Sequence, residues 1–374
     1  IKAAQKLWEK CDSAGDIYKK KYKGLYCVGC EKYLTEKDLE DGKCPLHPNK
    51  EPEVIEEENY FFKLSNYQKQ LEEYLDNKNA VVPEYRRKEA LEFVKNGLED
   101  FSISRDIKRL SWGVPVPGDD TQVMYVWFDA LTNYISTLGW PEDKDGKFKK
   151  FWEDGETLQV AGKDQVRFQS IMWQAMLISA GIKTTGRVFY HGFINSGGQR
   201  MSKSLGNVIS PFELVEKYGT EATRFLLLKH VHPIEDTDVT WERFDEWYTA
   251  DLVNGLGNVT ARIMKMVESY NVHAPQFAHQ DFFKKNELDS FRIDDVTNDI
   301  WDGIRYLDEY IQKEEPFKKI KVDEEAAKKD IVHLLIHLRA IAARLEPFMP
   351  ESSEKILSAI KSNKKPENLF PRIN

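Results

Sequence analysis

Hydrophobic positions along the 374-residue chain change their period several times, and each change predicts a different kind of structure. Residues 1–8 read as a helix already in progress, and 64–98 as two amphipathic helices separated by Val81-Val82-Pro83. Residues 22–60, in between, are punctuated by Gly, Cys and Pro and lack helical periodicity, as a small knuckle would. From 121 the pattern shortens. The apolar run 123–128 reads as a buried strand, 129–138 as a short helix and 157–161 as a second strand. A long apolar helix over about 165–180 ends at Gly181, and 187–191 is a third strand. Strand, helix, strand, helix, strand predicts a parallel α/β sheet with right-handed crossovers. Ser210-Pro211-Phe212-Glu213 is a capping box with proline at the first helical position, so a helix starts there. Beyond 240 the strand signals vanish. Leu252, Leu256, Val259, Ile263 and Val267 make one apolar stripe, and Ile331, Leu334, Leu335, Leu338, Ile341, Ala342 and Leu345 another, which predicts a helical bundle. The fold class expected is α/β plus all-α, without internal repeats.

Length adds a prior of two or three domains at roughly 100–200 residues each. Hydrophobic residues make up 41% and charged residues 31%, and no apolar run approaches the roughly 18 residues of a membrane span, so a soluble chain without a membrane partner is expected. A net charge of −8, from 54 basic and 62 acidic residues, excludes a polycation; a nucleic acid would have to be held by local basic surfaces. Four cysteines are too few for a disulfide scaffold, which points to a reducing compartment, the cytoplasm. The chain opens on Ile1, without an export signal, and an upstream portion is expected.

Three of those cysteines carry the strongest chemistry. Cys27-x2-Cys30 and Cys44-x2-His47 place three thiolates and an imidazole on two turns that can close tetrahedrally on one ion. Sulfur with nitrogen selects Zn²⁺, and four protein ligands leave no open position, so the ion would be structural. The competing reading is cysteines packed in a small core. Cys11 stands apart and reads as a small buried apolar residue.

Gly162-Lys163-Asp164 follows a strand and opens a helix, where ligands bind at the carboxyl edge of a parallel sheet and helix amides favour phosphate. A plain strand-to-helix turn explains the same residues. Residues 197–207 combine glycines with Arg200, Ser202, Lys203 and Ser204, all donors, without a Walker pattern; such a loop can close over a polyphosphate, or be a mobile polar surface loop. Asn258 and Arg262, four apart, both project about 100° from the centre of their apolar stripe. A paired amide and guanidinium can read unstacked bases, although solvated polar pairs at this spacing are common.

Taken together these residues resemble the methionyl-tRNA synthetases, class I aminoacyl-tRNA synthetases. Arg200-Met201-Ser202-Lys203-Ser204 is similar to the class signature Lys-Met-Ser-Lys-Ser, flanked by His191-Gly192-Phe193-Ile194 and Leu205-Gly206-Asn207-Val208. The likeness continues through the Cys/His knuckle, Glu58-Asn59-Tyr60-Phe61-Phe62, Ser102-Ile103-Ser104-Arg105, Trp112-Gly113-Val114-Pro115-Val116-Pro117, Tyr125-Val126-Trp127-Phe128-Asp129-Ala130 and Pro347-Phe348-Met349-Pro350. The resemblance implies a partial Rossmann-type parallel sheet with a zinc-knuckle insertion and a C-terminal helical bundle. Its segments would be a connective-peptide domain at 1–117 with the knuckle at 22–60, the second half of the catalytic domain at 118–195, a stem-contact region at 196–247 and an anticodon-binding domain at 248–374.

It also implies the reaction: L-methionine and ATP, with Mg²⁺, give methionyl-adenylate and pyrophosphate, and the methionyl group then passes to the 3′ end of tRNA(Met). Lys203 would stabilise the transition state, with Arg200 in the place of the family's first lysine and Ser202, Ser204, Gly162 and Asp164 around ATP. Trp127, Ala130, Tyr134, Phe168, Gln169 and Trp173 match the methionine pocket, where aromatics surround a polarisable thioether. Many members carry histidine at the position of Gln169, and Gln165 occupies a neighbouring position that is otherwise apolar. Asn258, Arg262 and Phe317 match the anticodon readers, with Phe317 in place of a frequent tryptophan. The class I His-x-Gly-His signature is not in this chain, so a catalytically silent tRNA-binding and zinc-scaffold fragment is the alternative expectation. A synthetase for another amino acid is disfavoured by the knuckle spacing and by Asn258-x3-Arg262. A monomer is expected.

Overall fold

A computed structural model of the chain describes residues 1–29, 32–34, 38–45, 47, 49–202, 206–273, 288 and 291–373. Cys30, Lys203 and Ser204 lie outside the described residues. The chain forms two compact units, Ile1–His191 and Gly192–Asn374. They group the expected segments: residues of 1–117 and of 118–191 share one apolar core, and residues from 209 to 370 share another.

In the first unit the opening helix Lys2–Ser13 buries Ala4, Leu7, Trp8 and Cys11. Burial pushes the Cys11 thiol up to about 12, so it is an inert apolar group here. A long antiparallel ribbon follows, Ile17–Cys27 against Glu53–Phe62, in register from Ile17 opposite Phe62 to Tyr26 opposite Glu53. Periodicity does not reveal this ribbon because its strands are rich in lysine and glutamate. The register explains their composition: Lys21 faces Glu58, and Lys19 reaches Glu58 at 3.8 Å and Asp119 at 2.8 Å. Asp119 also accepts from Thr121 and Tyr60, and the Lys19 bond foremost holds its carboxyl well below the usual range.

The parallel sheet differs from expectation in its third strand. Arg187–His191 lies between Leu158–Gly162 and Val81–Val82, parallel to both. The residues expected only to separate the helices Gln68–Asp76 and Glu84–Lys95 are thus a short strand of the sheet. The run 123–128, expected as a strand of that sheet, divides instead. Asp119–Met124 is the middle strand of a separate antiparallel sheet, and Val126–Leu131 is helical. Phe128 and Leu131, three apart, are both buried, which is helical spacing; a short apolar run does not distinguish a buried helix from a strand.

The expected helix 165–180 is present as Lys163–Gln165, a wider π turn over Phe168–Met172, and Trp173–Ser179. It ends in a Schellman motif: the Gly181 amide donates to Ile178 O at 3.0 Å and the Ile182 amide to Leu177 O at 2.8 Å, with Gly181 at φ +66°.

In the second unit Ile194–Ser196 pairs antiparallel with Gln199–Arg200 and parallel with Thr237–Asp238. The capping box forms as read: the Phe212 amide donates to Ser210 Oγ and the Ser210 amide to Glu213 Oε2, each at 3.3 Å, and Pro211 opens the helix Pro211–Tyr218. From Trp241 onward the described elements are all helical, and every residue of both predicted stripes is buried. Among the described residues no helix is long and apolar enough to cross a membrane.

Candidate functional site

The knuckle lies at the tip of the long ribbon. Cys27 closes the strand Ile17–Cys27, and Cys27, Leu34 and Cys44 form a small core of their own. His47 Nδ1 is 3.6 Å from Cys27 Sγ and 3.9 Å from Cys44 Sγ. With Zn–S of about 2.3 Å and Zn–N of about 2.0–2.1 Å, neighbouring ligands of a tetrahedral site stand about 3.5–3.8 Å apart. The two distances to His47 are close to that spacing, and all three atoms lie within 4.8 Å of one another. Gly29 makes this possible, since a Cβ there would sit 2.5 Å from the His47 ring. The fourth expected ligand, Cys30, is outside the described residues.

The residues of the expected methionine pocket come from two segments some forty residues apart in sequence. Trp127 and Phe168 stack at 4.2 Å with 24° between their planes. Tyr134 stands 6.4 Å from Trp173, and the Gln169 amide nitrogen donates to the Tyr134 hydroxyl. Burial raises the Tyr134 phenol above its ordinary value, so it stays protonated at neutral pH. Trp173 is fully buried, Gln169 is 4% exposed, and Ala130 is half-buried on the helix Val126–Leu131. Trp127 and Ala130 both lie on that helix, in keeping with the corrected assignment of the segment.

Gly162 ends its strand at the carboxyl edge of the parallel sheet, in register with His191, and Asp164 is exposed on the turn that follows. Arg200 and Ser202 belong to the second unit. The Arg200 guanidinium lies 4.3 Å over the Phe193 ring. Asn207 braces both arms of the loop: its carbonyl oxygen accepts from the Ser202 amide at 2.9 Å, and its amide donates to Ser196 O and Arg200 O at 3.2 and 3.3 Å. That brace is not apparent from sequence; the only signal is an asparagine directly after Gly206, at the end of a turn-rich stretch.

On the bundle, Asn258 and Arg262 occupy one flank of the helix Asn258–Ser269, directly after a ten-residue π stretch, Tyr248–Gly257. They line a concavity of about 520 Å³ with Ala261, Met266, Ile311 and Phe317, and the flanking cations Lys265 and Lys365 complete its wall. Phe317 is 39% exposed. Arg262 is ion-paired to Asp308 of the helix Ile293–Glu314, a partner that sequence spacing does not indicate.

The family model described as tRNA synthetases class I (M) matches residues 1–51 and 37–264. A second, described as the anticodon binding domain of methionyl tRNA ligase, matches residues 298–371. The chain belongs to the methionyl-tRNA synthetases. It is a class I methionine–tRNA ligase, so the expectation drawn from its motifs holds. The methionine–tRNA ligase of Nostoc sp. is 38% identical over 373 residues, covering 94% of this chain and 69% of that protein. That of Brucella suis biovar 1 is 38% identical over 380 residues, covering 96% and 72%. Mycobacterium tuberculosis methionyl-tRNA synthetase in complex with methionyl-adenylate matches the whole chain and 79% of that chain, at TM-score 0.85 and 31% identity.

Proposed function

We propose that each unit carries part of the ligase machinery: the first holds methionine, and the second carries the phosphate-binding loop and reads the tRNA anticodon. Methionine and ATP form methionyl-adenylate and pyrophosphate, and the methionyl group then esterifies the 3′-terminal adenosine of tRNA(Met). No covalent enzyme intermediate is needed; positioning and electrostatics supply the rate. The observation that carries the reading is the groove on the bundle. Phe317 is far in sequence from Asn258 and Arg262, yet all three line one open concavity flanked by Lys265 and Lys365. It offers a paired amide and guanidinium for base edges, an aromatic face for stacking and cations for phosphate.

In the first unit, Trp127, Ala130, Tyr134, Phe168, Gln169 and Trp173 enclose the thioether, and Gly162 and Asp164 meet the nucleotide. In the second, Lys203 and Arg200 neutralise charge developing on the pyrophosphate, assisted by Ser202 and Ser204, while Asn207 holds the arms of their loop. Mg²⁺ accompanies ATP as substrate. Cys27, Cys30, Cys44 and His47 hold a structural Zn²⁺ that fixes the knuckle and takes no part in the chemistry.

In the full-length protein, Lys203→Ala is expected to lower methionine-dependent ATP–pyrophosphate exchange by about 10²–10³-fold, the scale of losing one transition-state donor, with little change in methionine affinity. An unchanged rate removes Lys203 from this role. Metal analysis is expected to find one zinc per chain. Cys44→Ser is expected to lose it and to melt the knuckle while the rest of the first unit stays folded; two ions, or none in fresh protein, would refute the site.

A further inference from the structure

We propose that Gln165, Gln169 and Trp173 give the methionine pocket a polar floor, through which the enzyme accepts unbranched amino acids of methionine's length that end in a hydrogen-bond donor. The inference rests on the pocket assignment made above and deepens it. The three residues recur every four positions along one helical run, from Lys163–Gln165 through the π turn Phe168–Met172 to Trp173. Gln169 spends its amide nitrogen on the Tyr134 hydroxyl. Its carbonyl oxygen has no hydrogen-bond partner among the described residues, nor have Gln165 Oε1 and Trp173 Nε1, and all three atoms are sealed from solvent.

This is not how the same helix treats its other glutamine. Gln174 donates to Gln169 O at 2.7 Å and to Thr185 Oγ1 at 3.1 Å, and accepts from the Thr185 amide at 2.9 Å, so both ends of its amide are satisfied. A buried polar atom without a partner is retained at a cost, which a ligand that pairs it recovers. Two of the unpartnered atoms are acceptors and one is a donor. A thioether brings no proton to either carbonyl oxygen. A terminal hydroxyl does both jobs at once, donating to an amide oxygen and accepting from the indole N–H. The chemical class implied is therefore a straight four-atom side chain tipped with hydroxyl.

The test compares two such chains that differ only at the last atom. Norleucine ends in methyl and 5-hydroxynorvaline in hydroxyl. ATP–pyrophosphate exchange by the full-length enzyme is expected to give 5-hydroxynorvaline a kcat/KM at least equal to that of norleucine. The double variant Gln165→Leu with Gln169→Leu, its fold checked by circular dichroism, is expected to shift that ratio about tenfold toward norleucine. Gln165→Leu alone, which keeps the Tyr134 bond, should shift it in the same direction by less. A tenfold or larger preference of the unsubstituted enzyme for norleucine, or a ratio that neither variant moves, overturns the proposal and leaves the functional reading intact. Absence of methionine-dependent exchange in the unsubstituted enzyme overturns both.

Discussion

The proposed methionine pocket and the proposed anticodon groove use similar side chains but are built in opposite ways. The pocket belongs to its unit's core: Trp173 is fully buried, Gln169 nearly so, and Trp127, Tyr134 and Phe168 pack against that core. The groove lies on the flank of an apolar stripe whose own residues are buried elsewhere, so Asn258 is exposed and Phe317 half-open. In the first case recognition and stability draw on the same atoms. In the second the proposed readers Asn258, Arg262 and Phe317 stand outside the core, and only Met266 and Ile311 of the lining belong to it.

The largest effect that separates the two is expected from Trp173→Ala. Removing a fully buried indole should cost the first unit about 3–5 kcal/mol of stability, read by denaturant unfolding, together with methionine affinity. If methionine affinity were lost at unchanged stability, the pocket would be separable from the core and the contrast would fail. A smaller and more selective effect is expected from Phe317→Ala. Loss of a stacking platform should weaken tRNA binding by about 1–3 kcal/mol. The melting of the bundle should stay within about 0.5 kcal/mol, as is usual for a surface change. A bundle that melted along with the loss of tRNA binding would make the groove resemble the pocket.

The same contrast governs what could be read from the chain beforehand. The bundle was legible because 3.6-residue periodicity is local: both stripes, the capping box at Ser210 and the flanking position of Asn258 and Arg262 follow from residues within a few turns of one another. The metal-like spacing of Cys27, Cys44 and His47 was legible for the same reason. The long ribbon was not, because its strands are lysine- and glutamate-rich and only the partner strand explains them. Nor was the strand Val81–Val82, two residues long, which reads as a break between helices until Arg187–His191 is placed beside it. The run 123–128 misled because a short apolar segment fits a strand and a buried helix equally well, and only its neighbours decide.

Sequence alone thus determined the class of the protein, its helical C-terminal third and the residue types proposed to bind metal, phosphate and base, since motif spacing and helical period are set along the chain. Tertiary structure decided which strand completes the parallel sheet, that Asn207 braces the loop arms, that Asp308 holds Arg262, and that two glutamines on one helix meet opposite fates, one satisfied and one left with an unpartnered oxygen. Such outcomes depend on contacts between residues far apart in sequence, and a hydrogen bond is made or missed only when the whole core has chosen its packing.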